Sequence, residues 1–204
     1  MELSGVREHE PATVADAERW AGVLATVLHR DDKPHVLFTK RADHLGEHPG
    51  QMSFPGGSRE PSDEHLEATA RREGEEEIGL HDEEITTVGR LDDITTVTGY
   101  AIRPFVADIP NREYDPDENE VAEIAVLPVE QLIDLDNYES ERREHPRRGD
   151  VRLHFFHIDG YTVWGATGRL LVQLLELTTG WEPPETVDRV VDPESDIPVG
   201  SSDS

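Results

Sequence analysis

Glu73, Glu76 and Glu77 stand at i, i+3 and i+4, and residues three and four apart on a helix share a face. Three carboxylates gathered in this way repel one another, which raises their pKa values and costs stability unless a cation sits among them. Oxygen donors alone suit a hard divalent ion, Mg²⁺ or Mn²⁺, which keeps waters and substrate oxygens in its shell. Arg72, beside Glu73, can anchor one carboxylate in a fixed orientation. Just upstream, Gly56 and Gly57 allow a backbone carbonyl or a phosphate to approach closely. In a chain this acidic, a run of glutamates is more commonly a solvated helix face. The pattern R-E-x-x-E-E-x-G arises by chance on the order of 0.003 times at this composition, which weakens that reading without removing it.

These residues need a helix and a turn to position them. Residues 63–78 read as a helix, with Ser62 as the N-cap, acids in the first turn and Gly79 as the stop. Pro55, Gly56, Gly57 and Pro61 punctuate the approach, and residues 41–54 read as a long functional loop. Strands are expected at 21–29, 36–39, 85–91, 102–109 and 121–126, with a hairpin of 151–158 and 161–164 around Asp159-Gly160. Residues 128–135 read as a short helix, and 166–178 as a helix burying Leu170, Leu171, Leu174, Leu175 and Leu177. Residues 1–18 read as a polar segment, irregular or with a short helix near 14–20, and 139–150 as a charged loop carrying Arg142, Arg143, Arg147 and Arg148. Pro, Asp, Ser and Gly dominate residues 183–204, which are expected to be a disordered acidic tail. The whole is an α/β sequence, one domain over 19–182, with the pattern of an α/β/α sandwich on a mixed sheet.

The chain has 204 residues, long enough to bury a core, with no cysteine and no apolar run of the ~20 residues that a membrane span needs. Residues 1–11 carry Glu2, Glu8 and Glu10 and no apolar stretch, so a secretory signal is not expected there. A soluble, cytoplasmic protein is the expectation. Acids outnumber bases 45 to 19, for a formal charge of −26, and only Lys33 and Lys40 are lysines. Nucleic-acid binding needs a basic footprint and is not expected. So acidic and lysine-poor a chain resembles proteins of salt-rich cytoplasm, where screening relieves self-repulsion.

Residues 57–80 resemble the Nudix box, G-x5-E-x7-R-E-U-x-E-E-x-G-U with U aliphatic: Glu64, Arg72, Glu73, Glu76, Glu77, Gly79 and Leu80 fall in register. Two departures appear. The first glycine is Gly57, one residue early, and Gly74 replaces an aliphatic residue, loosening the helix by about 1 kcal/mol relative to Ala. Outside the box, residues 37–57 (with Lys40, Arg41, His44, His48, Gln51, Ser53 and Gly56), Asn119-Glu120-Val121 and residues 163–168 resemble the coenzyme A pyrophosphatase-like branch of that superfamily.

The resemblance implies a Mg²⁺- or Mn²⁺-dependent hydrolase of the diphosphate bond in coenzyme A or acyl-coenzyme A. ADP-ribose, NADH or dinucleoside polyphosphates are the alternative substrates, and a non-catalytic nucleotide-binding module the alternative class. It implies Glu76 and Glu77 as metal ligands, Glu73 as ligand or proton acceptor with Arg72 orienting it, and the carbonyl of Gly56 or Gly57 completing the shell. A further acid from a distant loop joins such sites; Glu120 is the first candidate and Glu123 the second. Lys40 and Arg41 could contact phosphates, Gln51 and Ser53 could hydrogen-bond substrate, and His44 and His48 read as polar loop residues. Trp164 reads as core. The partner is then a small nucleoside diphosphate derivative, and a homodimer is compatible with the sequence.

Overall fold

Two β-rich stretches with continuous apolar character, joined by Asp31-Asp32 in left-handed conformation, form the spine of the protein: β1 (Arg19–Arg30) and β2 (Lys33–Arg41), following a short helix α1 (Ser4–Glu8). The computed structural model describes residues 1–42, 44, 50–96, 99–145 and 149–191. Along the chain come β3 (Met52–Ser53), β4 (Gly56–Ser58), α2 (Leu66–Ile78), β5 (Thr86–Arg90), β6 (Ile94–Thr95), β7 (Tyr100–Asp108), β8 (Val121–Pro128) and α3 (Val129–Leu132). Then follow β9 (Tyr138–His145), β10 (Gly149–Ile158), β11 (Tyr161–Val163), α4 (Gly165–Thr179) and β12 (Arg189–Val191).

The first sheet is mixed. β1 runs parallel to β7 on one side and antiparallel to β2 and β4 on the other; β2 also carries β3 and β8, and β7 carries β5 and β6. Its central strands are buried on both faces, which is why they read as apolar runs. Leu24, Leu28, Leu37 and Phe105 point into one core with Leu66, Ala70 and Ile78 of α2. Ala25, Val27, Phe38 and Val106 point into the other, with Leu170, Leu171 and Leu174 of α4 and Phe156 and Ile158 of the second sheet. That second sheet has the order β11-β10-β9-β12. Helix, mixed sheet and helix thus form the expected α/β/α sandwich, with a second small sheet on the α4 side.

Several elements differ from the sequence reading. The N-terminal helix lies at Ser4–Glu8, where Val6 is buried, and not near 14–20, where β1 begins. The N-cap of α2 is His65, whose Nδ1 accepts from the Ala68 N–H at 3.0 Å; Ser62 lies outside the helix and Asp63 is turned inward. Residues 139–145 and 149–150 are strand, not loop: β9 and β10 form a ladder there, and ion pairs such as Arg143 with Glu141 (2.9 Å) take the place of apolar alternation. Arg147 and Arg148, like His48, lie outside the described residues. In the tail, residues 189–191 add a parallel strand to β9 and Asp188 accepts from the Ser140 N–H at 2.7 Å; 192–204 lie outside the described residues. Gly74 is also more than a loosened helix position. A β-carbon there would lie 3.0 Å from Leu24 Cδ1, and one at Gly22 only 2.2 Å from the Leu66 carbonyl, so glycines on both sides let α2 settle closely on β1.

Candidate active site

The site grows from where α2 crosses β4. Strand β4 is flush against β1, with Val23 opposite Gly56 and Gly22 opposite Gly57. Gly56 needs no side chain: with φ of 151°, its β-carbon would stand 2.4 Å from the Gly22 carbonyl and 2.6 Å from Val23 Cα. Gly57 needs none for a different reason. A β-carbon there would fall 2.4 Å from Glu73 Oε1, so the carboxylate of Glu73 rests directly on the Gly57 backbone. One turn further along α2, Glu77 Oε2 accepts from the Gly56 N–H at 3.1 Å.

Helix α2 ends in a Schellman-type cap, with Gly79 left-handed (φ 63°) and the N–H groups of Gly79 and Leu80 donating to the Glu75 and Gly74 carbonyls. The acidic loop after β7 binds that end too: Asp115 N–H donates to the Ile78 carbonyl and Asp117 N–H to the Glu77 carbonyl. The same loop then delivers Glu120, whose N–H bonds to Asp117 and whose carbonyl accepts from Ala42. The charge of Glu120 acts on both Glu73 and Glu77. Glu123 goes elsewhere, to Lys40 and Tyr161.

The electrostatics are lopsided. Burial, then the charges of Glu73 and Glu120, push Glu77 up to about 8 against the Gly56 N–H and the charge of Arg41. Burial also raises Glu73, with Glu76 and Glu120 adding to it and Arg72 opposing. Glu76 behaves differently. Its side chain is 59% exposed, against 13% for Glu73, and is tied to Arg72 Nη1 at 2.8 Å. The three glutamates therefore do not share one environment: Glu73 and Glu77 lean on the glycine strand, and Glu76 stands outside with Arg72. Among the described residues no three acidic or histidine side chains form a ready-made metal cage.

Arg72 is fixed from behind by Asp63, a residue that sequence reasoning missed. Its Nε and Nη2 donate to the two Asp63 oxygens at 3.1 and 3.2 Å, and Nη2 also to the Ser58 carbonyl. The Arg72 guanidinium, with the Glu60 N–H and the Thr69 hydroxyl, holds the Asp63 carboxyl down at about 2, and Asp63 raises the arginine in turn. Asp63 lies just ahead of a helix where acids are common, so only its burial marks it out.

Other expected contacts scatter. Ser53 Oγ lies 3.1 Å from Thr39 Oγ1, within the strand pair. The Gln51 amide approaches Gly165 at the start of α4. Lys40 and Arg41 separate, Lys40 beside Glu123 (3.9 Å) and Arg41 toward Glu77. His44 is exposed. Trp164 stacks on Phe155, as a packing residue would.

A profile of the NUDIX domain matches residues 18–148. The chain belongs to the Nudix family. It is 36% identical over 169 residues to an uncharacterized Nudix hydrolase NudL of Enterobacter sp. (strain 638), an alignment spanning 81% of this chain and 85% of that one. It is also 36% identical over 163 residues to the NudL of Salmonella newport (strain SL254), with 77% and 81% covered. Among solved structures it resembles a NUDIX hydrolase from Nitrosomonas europaea, with a TM-score of 0.51 and 14% identity over 88% of this chain and 81% of that one, a likeness of fold. This Nudix protein is accordingly a hydrolase of the Nudix type. Among the described residues no helix is long and apolar enough to cross a membrane.

Hydrolases of this family generally need divalent metal ions. The residues present fit one chemically. Glu73, Glu77 and Glu120 bring carboxylate oxygens to the Gly56-Gly57 backbone with more negative charge than Arg72 and Arg41 offset, and an oxygen-rich, electrostatically unfinished cluster suits a hard cation.

Proposed function

We propose that this Nudix hydrolase splits the diphosphate bond of coenzyme A or acyl-coenzyme A, giving 4′-phosphopantetheine (or its acyl form) and adenosine 3′,5′-bisphosphate, as a cytoplasmic enzyme. The observation that carries the hydrolytic reading is the carboxylate cluster at Gly56-Gly57, half-buried and short of positive charge. The substrate is inferred from the sequence of residues 37–57, which leads directly into that glycine pair and resembles the coenzyme A pyrophosphatase-like branch.

Glu73, Glu76, Glu77 and the carbonyl of Gly57 would hold Mg²⁺ or Mn²⁺. When bound, the ion supplies charge neutralisation at the diphosphate and a more acidic water. The chain's own residues do the rest. Asp63 orients Arg72, and Arg72 fixes Glu73 against the glycine strand and tethers the exposed Glu76 at its rim. Glu73 or Glu120, both facing the cluster, accepts the proton of the attacking water; general-base catalysis of this kind contributes about 10²–10⁴-fold. Arg41, already acting on Glu77, is the cation assigned to the substrate's phosphates, and Gln51 and Ser53 line the segment that leads to them.

A panel of coenzyme A, an acyl-coenzyme A, ADP-ribose, NADH and a dinucleoside polyphosphate, with product identification, tests the reading. Coenzyme A should give adenosine 3′,5′-bisphosphate and turn over fastest. Faster turnover of ADP-ribose would overturn the substrate assignment and leave the hydrolase intact.

A further inference from the structure

Lys40 and Glu123 face each other in register across β2 and β8, at the end of the strands where Arg41 and Glu120 serve the acid cluster. Their ion pair is loose. Lys40 Nζ lies 3.9 Å from Glu123 Oε2, with the side chains 35% and 46% exposed, a separation and exposure at which such a pair is worth roughly 0–1 kcal/mol. The other oxygen of the same carboxylate is held far better, by the Tyr161 hydroxyl, which donates to Glu123 Oε1. Tyr161 comes from a different part of the molecule. It opens β11 in the second sheet, just after the Asp159-Gly160 turn, beyond the residues that match the NUDIX profile. β11 packs against β3, and the Gln51 amide meets Gly165 beside it, so the second sheet reaches the mouth of the site here.

The arrangement has one tight contact and one weak one on a single carboxylate. A purely structural bridge between the sheets needs only the first. The weak contact leaves a lysine, a compact charge on a flexible stem, waiting at a defined place next to an anion it can easily exchange. A phosphomonoester is a more highly charged acceptor than a carboxylate already engaged by a tyrosine.

We propose that Glu123, clamped by Tyr161, is a specificity-determining positioning residue that holds Lys40 as a displaceable cation, ready for an anionic group the substrate carries beyond its scissile diphosphate. The inference rests on the diphosphate-hydrolase reading and adds to it the class of substrate favoured, a nucleoside diphosphate derivative bearing an additional phosphomonoester.

The test compares two substrate pairs that differ by one phosphomonoester, coenzyme A with dephospho-coenzyme A and NADPH with NADH, on the full chain. Lys40→Gln should raise KM about tenfold for the phosphorylated member of the pair that is cleaved, leaving its partner within about twofold and kcat unchanged. Glu123→Gln, which lets Lys40 leave its place, should raise KM for the phosphorylated member and spare its partner. Tyr161→Phe should shift the same KM with a melting temperature near that of the parent. If the variants change both members of a pair equally, or change neither, the inference falls. If coenzyme A is not cleaved but the nicotinamide pair is, the substrate assignment fails while the second pair still judges Lys40 and Glu123.

Discussion

Two sets of acidic side chains are withdrawn from solvent in this protein, and they are treated in opposite ways. On the second sheet, Glu141 is almost completely buried, yet two arginines meet it: Arg143 at 2.9 Å and Arg189 at 3.0 Å. Asp93 is likewise buried and gripped by Arg103 at 2.7 and 2.9 Å. At the crossing of α2 and β4, Glu77 meets the Gly56 N–H and the charge of Arg41, while two other carboxylates press on it and burial outweighs both. A buried acid that only has to hold a fold is neutralised on the spot. One left short of positive charge marks where something else must supply it.

Substitution at the two places separates the roles most sharply. Glu77→Gln should lower kcat by about a thousandfold, ~4 kcal/mol of barrier, while the metal-free protein becomes more stable because the cost of burying that carboxyl, charged or kept protonated against neutral water, has gone. Glu141→Gln should do the reverse, costing roughly 1–3 kcal/mol of stability by weakening the buried acceptor that Arg143 and Arg189 share, and leaving the activity of folded molecules near normal. Steady-state kinetics with chemical denaturation reads both; the same sign of stability change in the two variants would break the contrast.

A smaller effect tests the link between the two kinds of acid. Asp63 is a neutralised carboxylate that serves the unneutralised ones through Arg72. Asp63→Asn should cost roughly 2–3 kcal/mol and reduce kcat about tenfold with KM little changed, since Glu73 and Glu76 lose their anchor and not their charge.

Much of this could be read in advance, and the exceptions share a cause. Helix α2 announces itself by the acids of its first turn and the Gly79 stop, and β1, β2 and the β10–β11 hairpin by apolar runs and a turn dipeptide. β9 is concealed because ion pairs, Arg143 with Glu141 along the strand and Arg189 of β12 with Glu139 and Glu141 across it, stand where alternating apolar residues would. α1 is concealed because five residues with one buried valine leave no periodicity. At the site, the spacing of Glu73 and Glu77 says that they share a face, but not that Glu76 would be drawn away by Arg72. Asp63 and Tyr161 act through partners nine and thirty-eight residues away, which only the folded chain selects.

Proton linkage offers a further handle. For Glu77 the folded value, about 8, lies above the ordinary 4.5, so the folded state holds its proton more tightly than the unfolded one. The stability this gives is present at low pH and is lost as pH rises through that window. Metal-free protein in chelator should therefore weaken from pH 5 to 8 by roughly 2–4 kcal/mol, and Glu77→Gln should flatten the slope. Denaturation curves at several pH values measure it.

The smallest effect concerns the surface as a whole. With a formal charge of −26, screening should raise the melting temperature between dilute buffer and molar KCl, in the parent and in both glutamine variants alike. Equal melting temperatures across that range would remove the salt-adapted reading and leave the site untouched.

The central claim, that the acid cluster on Gly56-Gly57, centred on Glu73 and Glu77, awaits a divalent cation, is tested most directly by calorimetry of Mn²⁺ binding in buffers of different ionisation enthalpy. Binding at pH 7 should release close to one proton, fading by pH 9, and Glu77→Gln should abolish the release. Mn²⁺ that binds without releasing protons, or that binds the variant as it binds the parent, would contradict the account.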